Sequence, residues 1–371
     1  MADTGIAHRR IASQRIAAGR FDDPADVVRW LGAVQAQDYN QSLWSIGARV
    51  VDATAEGVER AIADRQIVRT WLMRGTIHFT AAEDVRWLLA LCGPRLLAAD
   101  ERRCVQIGLE AADVERSAEL LSGALGGDRR LSRPEVMDLL ESEGIETGRG
   151  HGYHILFRLS QAGLICLGPM QGKQQSVVLL DDWAPRAQAR ELSRDESLIA
   201  VAELFAASRG PVTAQDLARW AGITVRDART GLQGAGAVVA RTWDSTEYWL
   251  SAEGADEPPP KPRRKQTFLL AAFDEYMLGY KDRDAMLAPE HADKIVPGAN
   301  GVFRPIIVVD GQIVGTWART ARAKSLTIAL QPFAPGARLE AQVRPEAKRY
   351  RDFLGLPASC VPVVRSETPA A

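Results

Sequence analysis

The sequence predicts an α+β fold in which helical units close on β-hairpins and a β-rich region follows. Three observations predict it. Capping signatures recur ahead of short amphipathic runs, and strand-like pairs follow those runs. Beyond a proline-rich stretch, the texture changes to short alternating apolar segments. The 371 residues are 46% hydrophobic and 25% charged, an ordinary globular composition. That length accommodates roughly two to four domains.

The first unit, residues 1–125, reads mainly as helix. Asp22 and Asp23 precede Pro24, an N-cap followed by proline in the first turn. Val27, Val28, Leu31 and Val34 then recur at helical spacing until the pattern breaks at Gln35-Ala36-Gln37-Asp38-Tyr39. A second helix is expected over Ala55 to Ala63. Val68 to Met73 and Thr76 to Phe79 form a strand pair across Arg74-Gly75. Thr80 and Glu83 have capping-box spacing, so a further helix is expected to open there and run through Leu91.

The second unit, residues 126–192, has a capping box at Ser132-Arg-Pro-Glu135, which starts a helix over Pro134 to Ser142. Another helix runs from about Gly150 to Ala162, with Gly163 as its stop. Leu164 to Leu167 and Ser176 to Leu180 then read as strands joined by a loop at Gly168 to Gly172. Helix, helix, hairpin is the order of a winged helix. The third unit, residues 193–255, repeats it. Leu198, Val201, Leu204 and Phe205 mark a helix, and Thr213-Ala-Gln-Asp216 caps the next, which ends at Gly222. Thr224-Val-Arg-Asp227 caps a third, to about Leu232. Val238 to Trp243 and Glu247 to Leu250 are its wing.

Glu253 to Lys265, with Pro258, Pro259, Pro260 and Pro262, is a linker that opens the last region, residues 256–371. Thr267 to Phe273, Ile306 to Val309, Ile313 to Trp317, Ser325 to Leu330 and Leu339 to Val343 read as strands of a small antiparallel sheet or barrel. Asp310-Gly311 is a hairpin turn among them. A helix over Arg344 to Leu354 closes the pattern.

The net charge of −1 excludes a uniformly basic nucleic-acid protein and leaves room for a local basic face. Seven lysines against 39 arginines fit either a GC-rich genome or phosphate and base contacts, for which the guanidinium fork is suited. No run of about 18 apolar residues predicts a membrane span. The N-terminus lacks a signal-peptide core, and Cys92, Cys104, Cys166 and Cys360 form no CxxC pair. Reduced thiols and a cytoplasmic location are therefore expected.

The usual catalytic signatures are absent: there is no GxSxG, no P-loop and no Rossmann glycine fingerprint. His151-x-x-His154 finds no third ligand at convincing spacing, so no metal or cofactor is expected. Asp274-Glu275 and Asp282-Arg283-Asp284 suit either catalysis or structural ion pairs and caps. Gln35 and Gln37 stand two apart, a spacing that puts side chains on one side of an extended chain. Amides cannot act as acid or base, but each both donates and accepts, so the pair suits holding a water or a base edge, or plain capping.

Three segments carry a resemblance: Val34-Gln-Ala-Gln-Asp38, Thr70-Trp-Leu-Met-Arg-Gly-Thr-Ile-His-Phe79 and Phe273-Asp-Glu-Tyr-Met-Leu-Gly-Tyr-Lys-Asp-Arg283. With the tandem helix–hairpin units, the chain resembles the bacterial winged-helix DNA glycosylase family typified by AlkZ, from about Arg9 to Leu354. The resemblance implies three tandem winged-helix units followed by a small C-terminal antiparallel β-barrel-like region. It implies a Gln-apolar-Gln catalytic motif, here Gln35-Ala36-Gln37, whereas the related AlkX branch has aspartate at the second position. The implied activity is hydrolysis of the N-glycosidic bond of N7-alkylated guanine in double-stranded DNA, bulky adducts or interstrand crosslinks included.

Arg69, Arg74 and His78 on the strand pair are read as DNA contacts, or as the polar face of a buried hairpin. Tyr39 and Trp44 suit stacking on DNA or core packing. Arg226 and Arg229 lie on the last helix of the third unit, where a helix-turn-helix reader meets the groove. Lys261, Arg263, Arg264 and Lys265 form a basic linker suited to phosphate or solvent. A monomer is expected. The competing readings are a non-enzymatic winged-helix DNA-binding regulator and a protein-interaction scaffold.

Overall fold

The computed structural model describes residues 4–258, 265–322, 324–334 and 338–366. The linker residues Pro259, Pro260, Lys261, Pro262, Arg263 and Arg264 lie outside the described residues. The chain opens with α1 (Thr4–Ser13), α2 (Pro24–Leu31), β1 (Val34–Gln35), α3 (Tyr39–Gly47), α4 (Ala55–Ala63), β2 (Ile67–Trp71), β3 (Ile77–Ala81), α5 (Val85–Ile107) and α6 (Ala111–Leu125). Asp23 caps α2 by accepting from the Ala25 amide, and Thr54 caps α4 through the Gly57 amide. Val34 is not a further helical residue. Gly32, at φ 72°, ends α2, and Val34 and Gln35 pair with Phe79 and His78.

The capping box expected at Thr80 and Glu83 does not form. Thr80 lies in β3, where its hydroxyl donates to Gly32 O at 2.9 Å. Helix α5 begins at Val85 and continues well past Leu91, with Pro94 inside it. A proline removes one amide donor and costs about 3 kcal/mol. Packing on both sides of it overrides that cost: Leu88, Leu89, Leu91 and Cys92 are buried before the proline, and Cys104 after it.

The next elements are β4 (Leu131–Ser132), α7 (Arg133–Ser142), α8 (His151–Gln161), β5 (Ile165–Gln171), β6 (Gln174–Leu179) and α9 (Leu180–Trp183). Both hydrogen bonds of the Ser132–Glu135 capping box are present. The hairpin turn sits at Gly172, not across Gly168 to Gly172, because β5 continues through Gly168 with a shift in register. A Cβ at Gly168 would stand 2.7 Å from Ser176 Oγ, so glycine lets the two strands close up there. Then follow α10 (Arg194–Arg209), α11 (Ala214–Ala221), α12 (Val225–Gly234), β7 (Val238–Trp243) and β8 (Thr246–Ser251). Thr213 and Thr224 cap α11 and α12, and Gly222 ends α11 in the left-handed region.

The last region contains β9 (Thr267–Leu270), α13 (Glu275–Leu278), α14 (Ala292–Ile295), β10 (Ile306–Val309), β11 (Gln312–Arg322), β12 (Ser325–Pro332), α15 (Leu339–Phe353) and β13 (Val363–Ser366). Its sheet has the order β13-β12-β11-β10-β9 and is open: β9 and β13 occupy opposite edges, so no barrel closes among the described residues. The strand expected at Leu339 to Val343 is the start of α15. Leu339 and Val343 are four apart, a spacing common to a strand face and a helix face, and five residues cannot separate the two. Ala347, Tyr350 and Phe353 extend the buried set at helical spacing.

A six-stranded sheet of order β1-β3-β2-β5-β6-β4 spans residues 1–125 and 126–192; β2 joins β5 at Arg69 and Leu167. One hydrophobic core takes Leu31, Trp44, Phe205, Trp220, Leu269 and Tyr350 together, and a second gathers Leu121, Leu140, Leu156 and Val177. Trp44 is a core residue, its ring against Tyr350 and its Nε1 donating to Leu269 O at 2.7 Å. Asp274 is structural. It takes both arms of buried Arg49 at 2.9 Å and Ser45 Oγ at 2.9 Å, which locks α3 to the loop before α13. No described helix is long and apolar enough to cross a membrane.

Candidate active site

The segment that carries Gln35 and Gln37 is an edge strand held by its carbonyls. Arg209 Nη1 donates to Leu31 O at 2.9 Å and Nη2 to Ala33 O at 3.3 Å. Arg69 Nε and Nη2 both reach Ala36 O, at 3.2 and 2.7 Å. The Ala36 amide donates to Ile77 O at 2.7 Å. With its backbone fixed and extended, the segment sends both amides the same way: Gln35 Nε2 meets Gln37 Oε1 at 3.5 Å. Gln35 is buried at 7% exposure, while Gln37 is exposed. The pair is therefore asymmetric, one amide inside and one at the surface.

Arg74 orients the inner amide. It sits at φ 58° in the Met73–Gly75 turn between β2 and β3. Its Nη2 donates to Gln35 Oε1 at 3.0 Å, and its Nη1 donates to Trp220 O. With Gln35 Oε1 taken, Gln35 presents its NH2 to Gln37. The same Nη2 lies 3.2 Å from His78 Nε2, and His78 Nδ1 lies 2.9 Å from Thr76 O. Those partners assign the proton to Nδ1 and leave Nε2 as an acceptor. Burial, then the neighbouring Arg74 charge, pushes the His78 imidazole down to about 3. His78 is thus a neutral buried spacer at physiological pH, not an acid.

The residues read from sequence as DNA contacts separate into two sets. Arg69, Arg74 and His78 converge on the glutamine strand and face inward. Arg69 also donates to Gln175, stacks over the Tyr39 ring at 5.1 Å, and is pushed down to about 10 by burial, still a cation at neutral pH. Tyr39, half-buried, rests edge-on against Phe79, with its hydroxyl raised to about 12 by burial. Arg226 and Arg229 are exposed on α12 and take no part in this cluster.

Sequence reasoning missed Arg209; for Glu275 it offered a structural ion pair, and the structure supplies the partner. Glu275 is fully buried, pairs with Arg209 at 2.7 Å and accepts Trp220 Nε1 at 2.8 Å. The pair fixes the arginine that holds the entry to the glutamine strand. Nothing in the local sequence around Arg209 marks it as that partner. Also missed was an open cleft of about 640 Å³ beside Arg74, lined by Arg95, Gln215, Arg219, Gly222 and Lys281 among others. Its cations come from α5, α11 and the loop after α13, and no local pattern groups them.

The His151–His154 pair does not act as a unit. His151 turns to Ile107 O at 2.8 Å, whereas His154 Nδ1 lies 2.6 Å from Asp100.

The family described as DNA glycosylase AlkZ-like matches residues 28–353 of this chain. An interstrand DNA cross-link repair glycosylase of Streptomyces sahachiroi is 27% identical over 318 residues, 79% of this chain and 81% of the relative. The solved structure of Streptomyces sahachiroi DNA glycosylase AlkZ is similar to this fold with a TM-score of 0.81 at 25% identity, covering 99% of this chain and 100% of that one. These matches favour the enzymatic reading over the regulator and the scaffold. The chain belongs to the AlkZ-like DNA glycosylase family.

Proposed function

We propose that this chain hydrolyses the N-glycosidic bond of N7-alkylated guanine in double-stranded DNA, with bulky adducts and interstrand crosslinks within the substrate class. The observation that carries the reading is the ordered amide pair: Arg74 to Gln35 Oε1, then Gln35 Nε2 to Gln37 Oε1. Alkylation at N7 makes guanine cationic, so the base departs neutral with the electrons of the C1′–N9 bond and needs no acid. That suits a site whose one imidazole is held neutral. A water adds to the oxocarbenium-like C1′ and releases its proton to solvent.

Gln37 Oε1 accepts from that water with its second lone pair, because Gln37 is exposed whereas Gln35 Oε1 is buried and engaged by Arg74. Gln35 acts behind it, polarising and aiming Gln37. Fixed dipoles of this kind stabilise developing charge without reorganising. The cations Arg95, Arg219 and Lys281 of the cleft beside Arg74 supply phosphate contacts, and Arg226 and Arg229 extend the DNA surface along α12. Three tandem winged-helix units are the frame that fits this use. A monomer acting on chromosomal DNA in the cytoplasm goes with this reading.

The test is release of N7-methylguanine from duplex DNA, scored as abasic sites. Gln37→Ala is expected to lose activity with duplex affinity retained. Wild-type release in Gln37→Ala and in Gln35→Ala would remove the glutamines from the mechanism.

A further inference from the structure

Away from the glutamines, α5 and α8 bring together three side chains of metal-ligating type. Asp100 and Cys104 stand four apart on one face of α5, and His154 lies in the first turn of α8. Asp100 bridges the group: its Oδ1 is 2.6 Å from His154 Nδ1, and its Oδ2 accepts from Cys104 Sγ at 3.2 Å. One donor atom from each residue falls within 4.8 Å of the others, which no other group of His, Cys and acidic side chains among the described residues achieves as a set of three. The cluster is sheltered, with side-chain exposures of 8% at Asp100 and 14% at His154, and Cys104 is buried.

We propose that Asp100, Cys104 and His154 form a zinc site that clasps α5 to α8. Thiolate, imidazole and carboxylate together select a borderline ion such as Zn²⁺ over Mg²⁺ or Ca²⁺. Bond lengths of about 2.0–2.3 Å place tetrahedral donors roughly 3.4–3.8 Å apart, so the His154–Asp100 contact at 2.6 Å has to open by about 1 Å, and any pair near the 4.8 Å outer limit of the group has to close by about as much. Water completes the fourth position. The thiol proton leaves to solvent as the S–Zn bond forms.

Arg158 is the built-in competitor. Its Nη1 lies 3.4 Å from Asp100 Oδ2 and 3.6 Å from Cys104 Sγ, but its closest carboxylate is Glu101, at 2.9 Å. Ion entry neutralises the thiolate and carboxylate and leaves Arg158 to Glu101. The site ties the end of α5 to the second core, which contains Cys104 itself together with Leu109 and Leu156. His151, bonded to Ile107 O, docks the start of α8 alongside.

The full chain, stripped with chelator, is titrated with Co²⁺ and followed by absorbance, then displaced with Zn²⁺. One equivalent with a thiolate-to-cobalt charge-transfer band is expected, together with a zinc-dependent rise in Tm. Cys104→Ala should lose the band, and Cys104→Ala and His154→Ala should each weaken binding at least tenfold. Arg158→Gln should bind at least as tightly as wild type. Cys104→Ser, which keeps the side-chain volume, controls for folding. Base release by the variants in metal-free buffer is expected to match wild type, which separates this site from the glutamines. Absence of the band in wild type, or equal binding by Cys104→Ala, overturns the proposal.

Discussion

Replacing Arg74 with methionine separates the positioning role assigned by geometry from the DNA contact expected from sequence. The substitution keeps most of the buried stem and deletes the guanidinium. It orphans Gln35 Oε1 and Trp220 O, each of which accepts from Arg74. At about 1–3 kcal/mol for each buried acceptor left without a partner, stability should fall by roughly 2–6 kcal/mol. The larger consequence is at Gln35, whose amide loses the bond that sets its orientation and therefore its donation to Gln37. Losing one aligned donor in a catalytic site costs about 10²–10³ in rate. Gln35 still samples the productive orientation part of the time, so a 10- to 100-fold fall is expected, about 1.4–2.7 kcal/mol of barrier.

The assay is single-turnover release of N7-methylguanine with enzyme in excess, so that duplex affinity and the bond-breaking rate are read apart. Arg74→Met should lower the rate and leave the dissociation constant within about threefold. In a Gln35→Ala background the same substitution should cost almost nothing further, because both act through one amide. Full additivity in that cycle, or a loss confined to affinity, would refute the positioning argument and restore Arg74 as a DNA contact.

Three further outcomes follow from the same geometry. Arg209→Met breaks a fully buried pair with Glu275 and frees Leu31 O, so urea unfolding should show a loss of about 3–5 kcal/mol; a loss under about 1 kcal/mol would contradict it. His78 is held neutral down to about 3, against 6.5 when unfolded. Below 6.5 the unfolded chain binds a proton that the folded chain refuses, so stability falls with acidity by up to about 1.4 kcal/mol per pH unit. His78→Gln should flatten that part of the stability–pH curve, and an unchanged slope would count against the assignment. Arg226→Ala and Arg229→Ala should each weaken duplex affinity evenly across sequences and reduce the salt slope by roughly one, with the rate at saturation unchanged. An unaltered salt dependence would take α12 off the DNA surface.

Much of the architecture is written locally. The caps at Asp23, Thr54, Ser132, Thr213 and Thr224 all place a side-chain acceptor over free amides, and each is visible within four residues of sequence. The Asp310-Gly311 turn is equally local: both residues have positive φ, at 47° and 82°. Two of the misreadings share one cause. Thr80 and Leu339 carry local signals that fit two structures, and packing chose between them. Thr80 spends its hydroxyl on Gly32 O, and Leu339 faces the core from a helix.

By itself, the sequence determined that Gln35 and Gln37 share a side wherever the chain is extended, because side chains alternate along a strand. It also marked the arginines of the strand pair as special, without saying which way they point. Only the tertiary structure decided that. It turned Arg69 and Arg74 inward, set Arg209 on Glu275 behind the strand, and carried His154 to Asp100 and Cys104 across fifty residues of chain. The reason is physical. Spacing fixes which side chains share a face over a few residues, whereas the partner of a buried charge is set by which elements pack together, and that is a property of the whole core.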